Sequence, residues 1–292
     1  MKIRVLSSKN YKNNDKNCGD CIIIDTGLKM IIYDCGCEEH AKEVVKYLQE
    51  HNYDKVDVIL SHNDSDHFEG LNYLIKQDKV SSITTILLLK HIDDILDELD
   101  DNRRTRESIK KQIADYFDNI YSLSGNNLND SLDDDFTLDP RLNFAGPSYD
   151  YLLEAVAKAL NNSESDNIDM ETIVNAISVQ VELIIDNHKV LLTGDASFVA
   201  IEEKIREYDV IQLPHHGKYE QAKQIFEKND GREDVIYLVS DNTGNSNGGS
   251  DELMKNSIGK KIKNTKTGEI NIDNNSFINV RTGYYGIWDI WY

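Results

Sequence analysis

Apolar residues open the chain in short, β-branched runs. Residues 2–7, 21–26 and 29–34, carrying Cys21-Ile22-Ile23-Ile24 and Met30-Ile31-Ile32-Tyr33, read as successive strands, with a turn at Gly27-Leu28-Lys29 joining the last two. The period then changes. Over 38–51, Ala41, Val44, Val45, Tyr47 and Leu48 recur at helical spacing, and the apolar run 56–60 returns as a buried strand. A helix between two strands is a crossover, so parallel pairing enters the sheet here. A second helix is expected over 65–77 and a strongly β-prone strand over 83–89.

Residues 91–140 break this pattern. They are acidic and rich in asparagine, helical over 91–121, with an exposed loop expected over 124–135. We read them as an insertion or lid on one domain spanning 1–292, the alternative being a solvated acidic face with no role. Beyond them the pattern resumes with a helix over 148–161. Strands 176–185 and 188–193 form a hairpin about Asp186-Asn187, followed by helix 197–207, strand 210–213, helix 218–228, strand 235–239 and helix 250–258. Short β segments are expected at 269–273, 277–281 and 285–291. Strands at both ends with helices between them predict an α/β protein, two mixed sheets packed face to face and flanked by helices, an αββα sandwich.

Composition narrows the function classes. Lys and Arg number 32 against 52 acidic residues, a net charge of −20 over 292 residues. Such a field repels polyanions and argues against tight, non-specific binding to a nucleic-acid backbone unless metal or a local basic patch offsets it. It leaves a metal-assisted phosphodiesterase open. The N-terminus lacks the apolar stretch of a signal peptide, and no run approaches the ~20 apolar residues of a membrane span. A cytoplasmic protein with no membrane partner is expected. The cysteines Cys18, Cys21, Cys35 and Cys37 are grouped, and Cys18-Gly19-Asp20-Cys21 has a spacing seen in zinc and redox sites. Cys21 and Cys37 fall on expected strand and turn positions, which favours reduced, partly buried thiols.

The densest chemistry lies in Val58-Ile59-Leu60-Ser61-His62-Asn63-Asp64-Ser65-Asp66-His67, where a hydrophobic strand runs straight into four potential metal ligands. His62 and Asp64, two apart in an extended loop, can point the same way. Asp66 and His67, at the start of a helix, point elsewhere, so one short segment can serve two neighbouring metals. A polar turn capping the helix is the simpler alternative, but a cap requires one such residue and no flanking histidines. Leu191-Leu192-Thr193-Gly194-Asp195 again puts an Asp just past an apolar strand, and Ile211-Gln212-Leu213-Pro214-His215-His216-Gly217 puts two histidines past the next. Strand ends that each release His or Asp into a loop are how such sheets assemble a site along one edge.

These segments resemble the metallo-β-lactamase superfamily, and within it the branch similar to the soluble metallohydrolase domain of ComEC. There the common His-x-His-x-Asp-His is replaced by His-x-Asp-x-Asp-His, followed by Leu-x-Gly-Asp and His-His-Gly. The resemblance extends to Gly19-Asp20-Cys21-Ile22 and Ile32-Tyr33-Asp34-Cys35-Gly36 near the start, and to Ser240-Asp241-Asn242 and Lys266-Thr267-Gly268-Glu269-Ile270 near the end. It implies the metallo-β-lactamase fold. It also implies that His62 and Asp64 hold one metal, Asp66 and His67 the other, with Asp195 bridging them and His216 completing the second site. Asp34 would be a structural carboxylate near the metals. Matching Pro214-His215-His216-Gly217 to the family's Pro-Gly-His-Gly form puts His216 on the metal and leaves His215 for substrate or leaving group, with the reverse order as the alternative. Two departures stand out. No histidine at the family's usual ligand position is evident between the first motif and Gly194-Asp195, where only His91 and His188 occur, and Asn245-Ser246-Asn247-Gly248-Gly249-Ser250 stands where the branch tends to carry His-Pro.

The implied ligand set holds no thiolate and suits two divalent cations, Zn²⁺ or Mn²⁺. Such a pair activates a bridging water and clamps the attacked centre and leaving oxygen. The expected reaction is attack of a metal-bridging hydroxide on a phosphodiester, with Asp66 or Asp195 orienting it and His215 assisting the leaving group. DNA is the leading substrate class. The alternatives are a small nucleotide or another ester or amide, and a non-catalytic metal-binding regulatory or defence-system component. A protein partner docking on the acidic 91–140 region is compatible with each.

Overall fold

A computed structural model describes residues 1–99, 105–123, 127–161, 167–246 and 249–277. Along the chain the strands are β1 (Lys2–Val5), β2 (Ile22–Asp25), β3 (Met30–Tyr33), β4 (Val56–Ile59), β5 (Val80–Thr85), β6 (Leu128–Asp130), β7 (Leu142–Gly146), β8 (Asn167–Ile168), β9 (Glu171–Thr172), β10 (Gln180–Ile185), β11 (His188–Leu192), β12 (Val210–Gln212), β13 (Ile236–Val239), β14 (Lys261–Asn264) and β15 (Ile270–Ile272). They form a seven-stranded sheet in the order β15-β1-β2-β3-β4-β5-β6 and a six-stranded sheet in the order β14-β13-β12-β11-β10-β7, with β8 and β9 as a separate hairpin. Both large sheets are mixed. In the first, β15 to β3 pair antiparallel and β3 to β6 parallel, the change falling at the helical crossover Glu38–Glu50. In the second, β7-β10-β11 is antiparallel and β11 to β14 parallel.

Alternation along β11 shows the layering. Val190 and Leu192 face a core shared with Ile22, Ile24, Ile32 and Val58 of the first sheet. Leu191 points the other way, into a second core built from Ile211, Tyr237 and the helical residues Phe198, Ile225 and Phe226. Successive side chains of a strand take opposite faces, so one strand seals both the sheet-on-sheet and the sheet-on-helix layers. Helices on the outer faces complete the αββα sandwich. Between the sheets, the buried Tyr33 hydroxyl donates to the carbonyl of Val179 at 2.6 Å.

Several elements differ from the sequence expectation. The strand placed at 83–89 is Val80–Thr85, and Leu88–His91 turns as a short 3-10 helix. The loop placed at 124–135 contains β6, the edge strand of the first sheet, with Asp130 and Ser131 buried. Residues 91–121 divide into helices Ile92–Glu98 and Arg106–Ser122. Strand 176–185 starts only at Gln180, because Thr172 caps a short helix, Ile173–Ala176, just before it. Helix 197–207 is broken into Phe198–Ile201 and a 3-10 turn at Ile205–Glu207. Strands β7 and β14 were not expected at all. Of the segment expected at 277–281, Phe277 ends a 3-10 helix; the remainder, and 285–291, lie outside the described residues. Among the described residues no helix is long and apolar enough to cross a membrane.

Candidate metal centre

The loops after β3, β4, β11 and β12 meet at one edge of the sandwich. Asp34 follows β3; Ser61 and His62 follow β4; Asp195 follows β11; His215 and His216 follow β12. Asp64 is the N-cap of helix Ser65–Lys76, which places Asp66 and His67 in its first turn. A backbone bond from Val179 N to Ser61 O, 2.9 Å, ties the loops of the two sheets together. Three of these residues are held at positive φ, Asp34 at 61°, His215 at 52° and His216 at 54°. For a non-glycine residue each costs on the order of 1 kcal/mol, so the packing around this edge over-determines them.

Close backbone docking fixes the His62 to His67 loop. The Asp66 carbonyl accepts from Asp20 N at 3.1 Å and the His67 carbonyl from Cys35 N at 2.8 Å. The approach requires glycine at two positions. A Cβ on Gly19 would lie 1.7 Å from the Asp66 carbonyl oxygen, and one on Gly36 would lie 1.8 Å from the same atom.

The imidazoles are oriented from behind. His67 Nδ1 donates to Asp34 Oδ2 at 2.8 Å, and Asp34 is itself held by Ser61 N and Ser61 Oγ, each at 2.7 Å. His216 Nδ1 lies 3.2 Å from Asp20 Oδ1 and 3.0 Å from the Ser240 carbonyl. His62 Nδ1 is met by Ser61 Oγ at 2.9 Å and Ser178 Oγ at 3.2 Å. His215 Nδ1 donates to Glu171 Oε2 at 2.7 Å. In every case Nδ1 is engaged and Nε2 is turned toward the centre. Carboxylates and carbonyls behind the ring are the usual means of fixing the tautomer of a metal-bound histidine.

On the inner side the partners are lacking. His62 Nε2, His67 Nε2 and Asp195 Oδ1 are buried and make no hydrogen bond. His67 Nε2 lies 3.4 Å from Asp195 Oδ1, and His62 Nε2 lies 3.9 Å from Asp195 Oδ2 and 3.7 Å from Asp64 Oδ2. The ligand atoms of His62, His67 and Asp195 fall within 4.8 Å of one another, and so do those of Asp66, His67 and His216. His67 belongs to both groups. His216 Nε2 approaches Asp66 Oδ2 at 3.0 Å, while His215 Nε2 stays 3.8 Å from Asp195 Oδ2. All eight residues singled out in the sequence, Asp34, His62, Asp64, Asp66, His67, Asp195, His215 and His216, are therefore gathered at this edge. Buried polar atoms almost always find partners, so three orphaned atoms facing one point fit a cationic ligand. Nitrogen and carboxylate donors without a thiolate fit a divalent cation.

Electrostatics agree with the geometry. Burial would raise the Asp195 carboxyl, yet His67, His215 and His216 hold it well below the ordinary range. Burial would lower His67, yet Asp195 and Asp34 outweigh it and hold the imidazole well above its usual value. Asp66 is likewise pulled down by His216 and His67 against the effect of burial. Carboxylates and imidazoles at this edge thus stabilise one another's charged forms in the metal-free protein.

Sequence reasoning gave no role to Glu171, Ser178 or Asn17. Glu171 sits on the two-residue strand β9, too short to leave a periodic signal, and Asn17 donates to Asp66 Oδ2 at 2.8 Å from an irregular segment. Asp20 was visible only as part of the Gly19-Asp20 step. His91 is engaged elsewhere, with Nε2 2.9 Å from Asp130 Oδ2 and Nδ1 3.2 Å from the Tyr149 hydroxyl.

Residues 17–142 match the family model of the metallo-beta-lactamase superfamily. No curated protein sequence matches the chain. Among solved structures, the metallo-beta-lactamase fold protein YhfI from Bacillus subtilis is similar over 93% of this chain and 100% of its own, at 14% identity and a TM-score of 0.51. The short form of human tRNase Z is similar over 81% of this chain and 92% of its own, at 11% identity and a TM-score of 0.41.

Proposed function

We propose that this chain is a hydrolase of the metallo-β-lactamase superfamily, a phosphodiesterase that works through two divalent cations, Zn²⁺ or Mn²⁺. In this reading His62 and Asp64 would hold one cation and Asp66, His67 and His216 the other, with Asp195 available to both. The observation that carries it is the convergence of the orphaned His62 Nε2, His67 Nε2 and Asp195 Oδ1 on one buried point. Divalent cations bound there would lower the pKa of a water towards neutrality and offset charge on a phosphoryl group.

The chain's own residues do the rest. Asp34 and Asp20 fix the rings of His67 and His216, so their lone pairs stay aimed inward without a search over rotamers. His215 is left for the leaving group. Glu171 holds its Nδ1 proton, and its Nε2 lies 3.8 Å from Asp195 Oδ2. Such an imidazole, its pKa raised by Asp195 and Glu171 against the effect of burial, can give its Nε2 proton to a departing alkoxide when protonated. Substrate choice follows from two observations that pull apart. The His-x-Asp-x-Asp-His motif resembles the ComEC-like branch and favours a nuclease acting on DNA. The net charge of −20 favours a small nucleotide or cyclic dinucleotide over a long polyanion.

The test is a screen of apo protein reloaded with Mn²⁺ or Zn²⁺ against DNA, RNA, cyclic dinucleotides, a chromogenic phosphodiester and a β-lactam. Metal-dependent turnover of a phosphodiester, abolished in His67→Ala, is expected. Turnover of the β-lactam alone, or no turnover with both metals bound, ends the phosphodiesterase reading.

A further inference from the structure

Outside this edge, the chain carries a second group of metal-ligating side chains that the phosphodiesterase reading does not use. The spacing Cys18-Gly19-Asp20-Cys21 is one seen in zinc and redox sites, but the fold does not bring these two sulfurs together as a pair. Cys18 faces Cys37, and Cys21 faces Cys35, the two pairs bridging the turn before β2 and the turn after β3. All four are free and buried. Beside Cys18 and Cys37 lies the half-buried Glu39, and the two sulfurs and a Glu39 carboxylate oxygen lie within 4.8 Å of one another.

We propose that Cys18, Cys37 and Glu39 form a separate site for a thiophilic divalent cation such as Zn²⁺. A Zn–S bond of about 2.3 Å puts two sulfurs on one tetrahedral ion about 3.8 Å apart, within the observed spread. The carboxylate gives a third donor, and the partial exposure of Glu39 leaves a side for entry of the ion and a water. In the metal-free protein one thiolate is favoured, on Cys18, while the Cys18 hydrogen bond and burial push the Cys37 thiol up, so a bound cation would displace the Cys37 proton. Cys37 Sγ accepts from His40 N at 3.4 Å at the start of helix Glu38–Glu50, where the aligned peptide dipoles stabilise negative charge. The Cys37 thiol lowers Cys18 by hydrogen bonding, against the effect of burial, and Lys16 adds to the shift while remaining paired with Glu69 at 3.0 Å.

Such an ion would serve as a staple. Cys18 lies two residues before Asp20, which orients His216; Cys37 lies three residues after Asp34, which orients His67. Joining them would fix both carboxylates relative to each other from behind. A donor set with sulfur in it is independent of the His/Asp centre and of the phosphodiesterase reading.

The experiment is a Co²⁺ titration of the reduced, chelator-stripped, full-length protein, followed by its thiolate-to-cobalt charge-transfer band. Since no thiolate lies among the His/Asp residues, the band reports the cysteines alone, and its loss in Cys18→Ser assigns it to this site and not to Cys21 and Cys35. The expected result is a band saturating at about one equivalent, protection of two of the four thiols from a thiol reagent, and loss of both in Cys18→Ser. Glu39→Gln, at a half-exposed position that tolerates change, should weaken the metal affinity read from the band about tenfold. It keeps the test open should Cys18→Ser fail to fold. An Asp195→Asn protein should keep the band whatever becomes of the other centre. Absence of the band at saturating Co²⁺, four thiols that stay reactive, or a band unchanged in Glu39→Gln overturns the proposal.

Discussion

Two buried carboxylates stand at the same end of the second sheet and are treated oppositely by their neighbours. Asp241, just past β13, is saturated. Its Oδ2 accepts from Ser250 N and Ser250 Oγ at 2.6 Å each and from Lys266 Nζ at 3.0 Å, and its Oδ1 from Thr243 Oγ1 at 2.8 Å. Asn264 closes the ring by donating to Ser250 Oγ. Asp195, just past β11, has a buried oxygen that makes no hydrogen bond, opposite two imidazole nitrogens in the same state. A polar network that satisfies itself holds a fold together; one that leaves inward-facing atoms unsatisfied is complete only with something bound. The contrast separates structure from chemistry more cleanly than residue type, since both clusters are built around an aspartate at a strand end.

The largest effect should fall on activity at the unsatisfied cluster. Asp195→Asn is expected to lower turnover by about 10³-fold, with a smaller loss of stability in the metal-free protein, because His67, His215 and His216 lose the carboxylate they hold ionised. Wild-type rates in this variant would dissolve the contrast. At the saturated cluster the burden reverses. Asp241→Ala should cost about 3 kcal/mol in urea unfolding, by stranding Ser250 and Lys266, with no change in the metal affinity of the folded protein. A smaller effect is expected behind the ligands, where Asp34→Asn should weaken metal binding by about 10- to 100-fold in competition with a chelating dye.

A test that changes only the pH concerns an imidazole that is satisfied without charge. His40 is fully buried, its Nδ1 2.8 Å from the Tyr11 hydroxyl and its Nε2 3.4 Å from the Gly19 carbonyl, and burial pulls its pKa from 6.5 to about 4. The folded state therefore binds fewer protons than the unfolded one between these values. Its contribution to stability is complete above pH 6.5 and is lost as pH falls toward 4, by at most about 1.4 kcal/mol per pH unit. Chemical denaturation across that window should show the slope in the wild type and a shallower one in His40→Gln.

What could be read beforehand follows from how much signal each element leaves. The strand ends bearing His62, Asp195 and His216 are legible because long apolar runs such as Val58-Ile59-Leu60 fix the strand and the polar residues follow at once. Strands β6, β7 and β14 escape: Leu128-Asn129-Asp130 has a single apolar residue, and Lys261-Ile262-Lys263-Asn264 reads as a solvated loop until the neighbouring β13 supplies its hydrogen bonds. Pairing across the fold overrides their composition. Glu171 was hidden for the same reason, its role depending on a tertiary contact with His215 across 44 positions of sequence. The cysteine pairing was illegible because partners are chosen by the approach of two turns and not by Cys18-x-x-Cys21 spacing.

For anyone diversifying this protein, the two glycines against the Asp66 carbonyl define where a library must not reach. Alanine at position 19 or 36 would drive a methyl group inside the covalent envelope of that oxygen, and the peptide carrying Asp66 and His67 would have to move. At Gly27 and Gly231 an added Cβ meets nothing within 4 Å, so the only obstacle there is the backbone's own preference. Mutational tolerance across the chain's turns should therefore be sharply uneven, with randomised positions 19 and 36 returning glycine among active clones and positions 27 and 231 returning asparagine and aspartate as well.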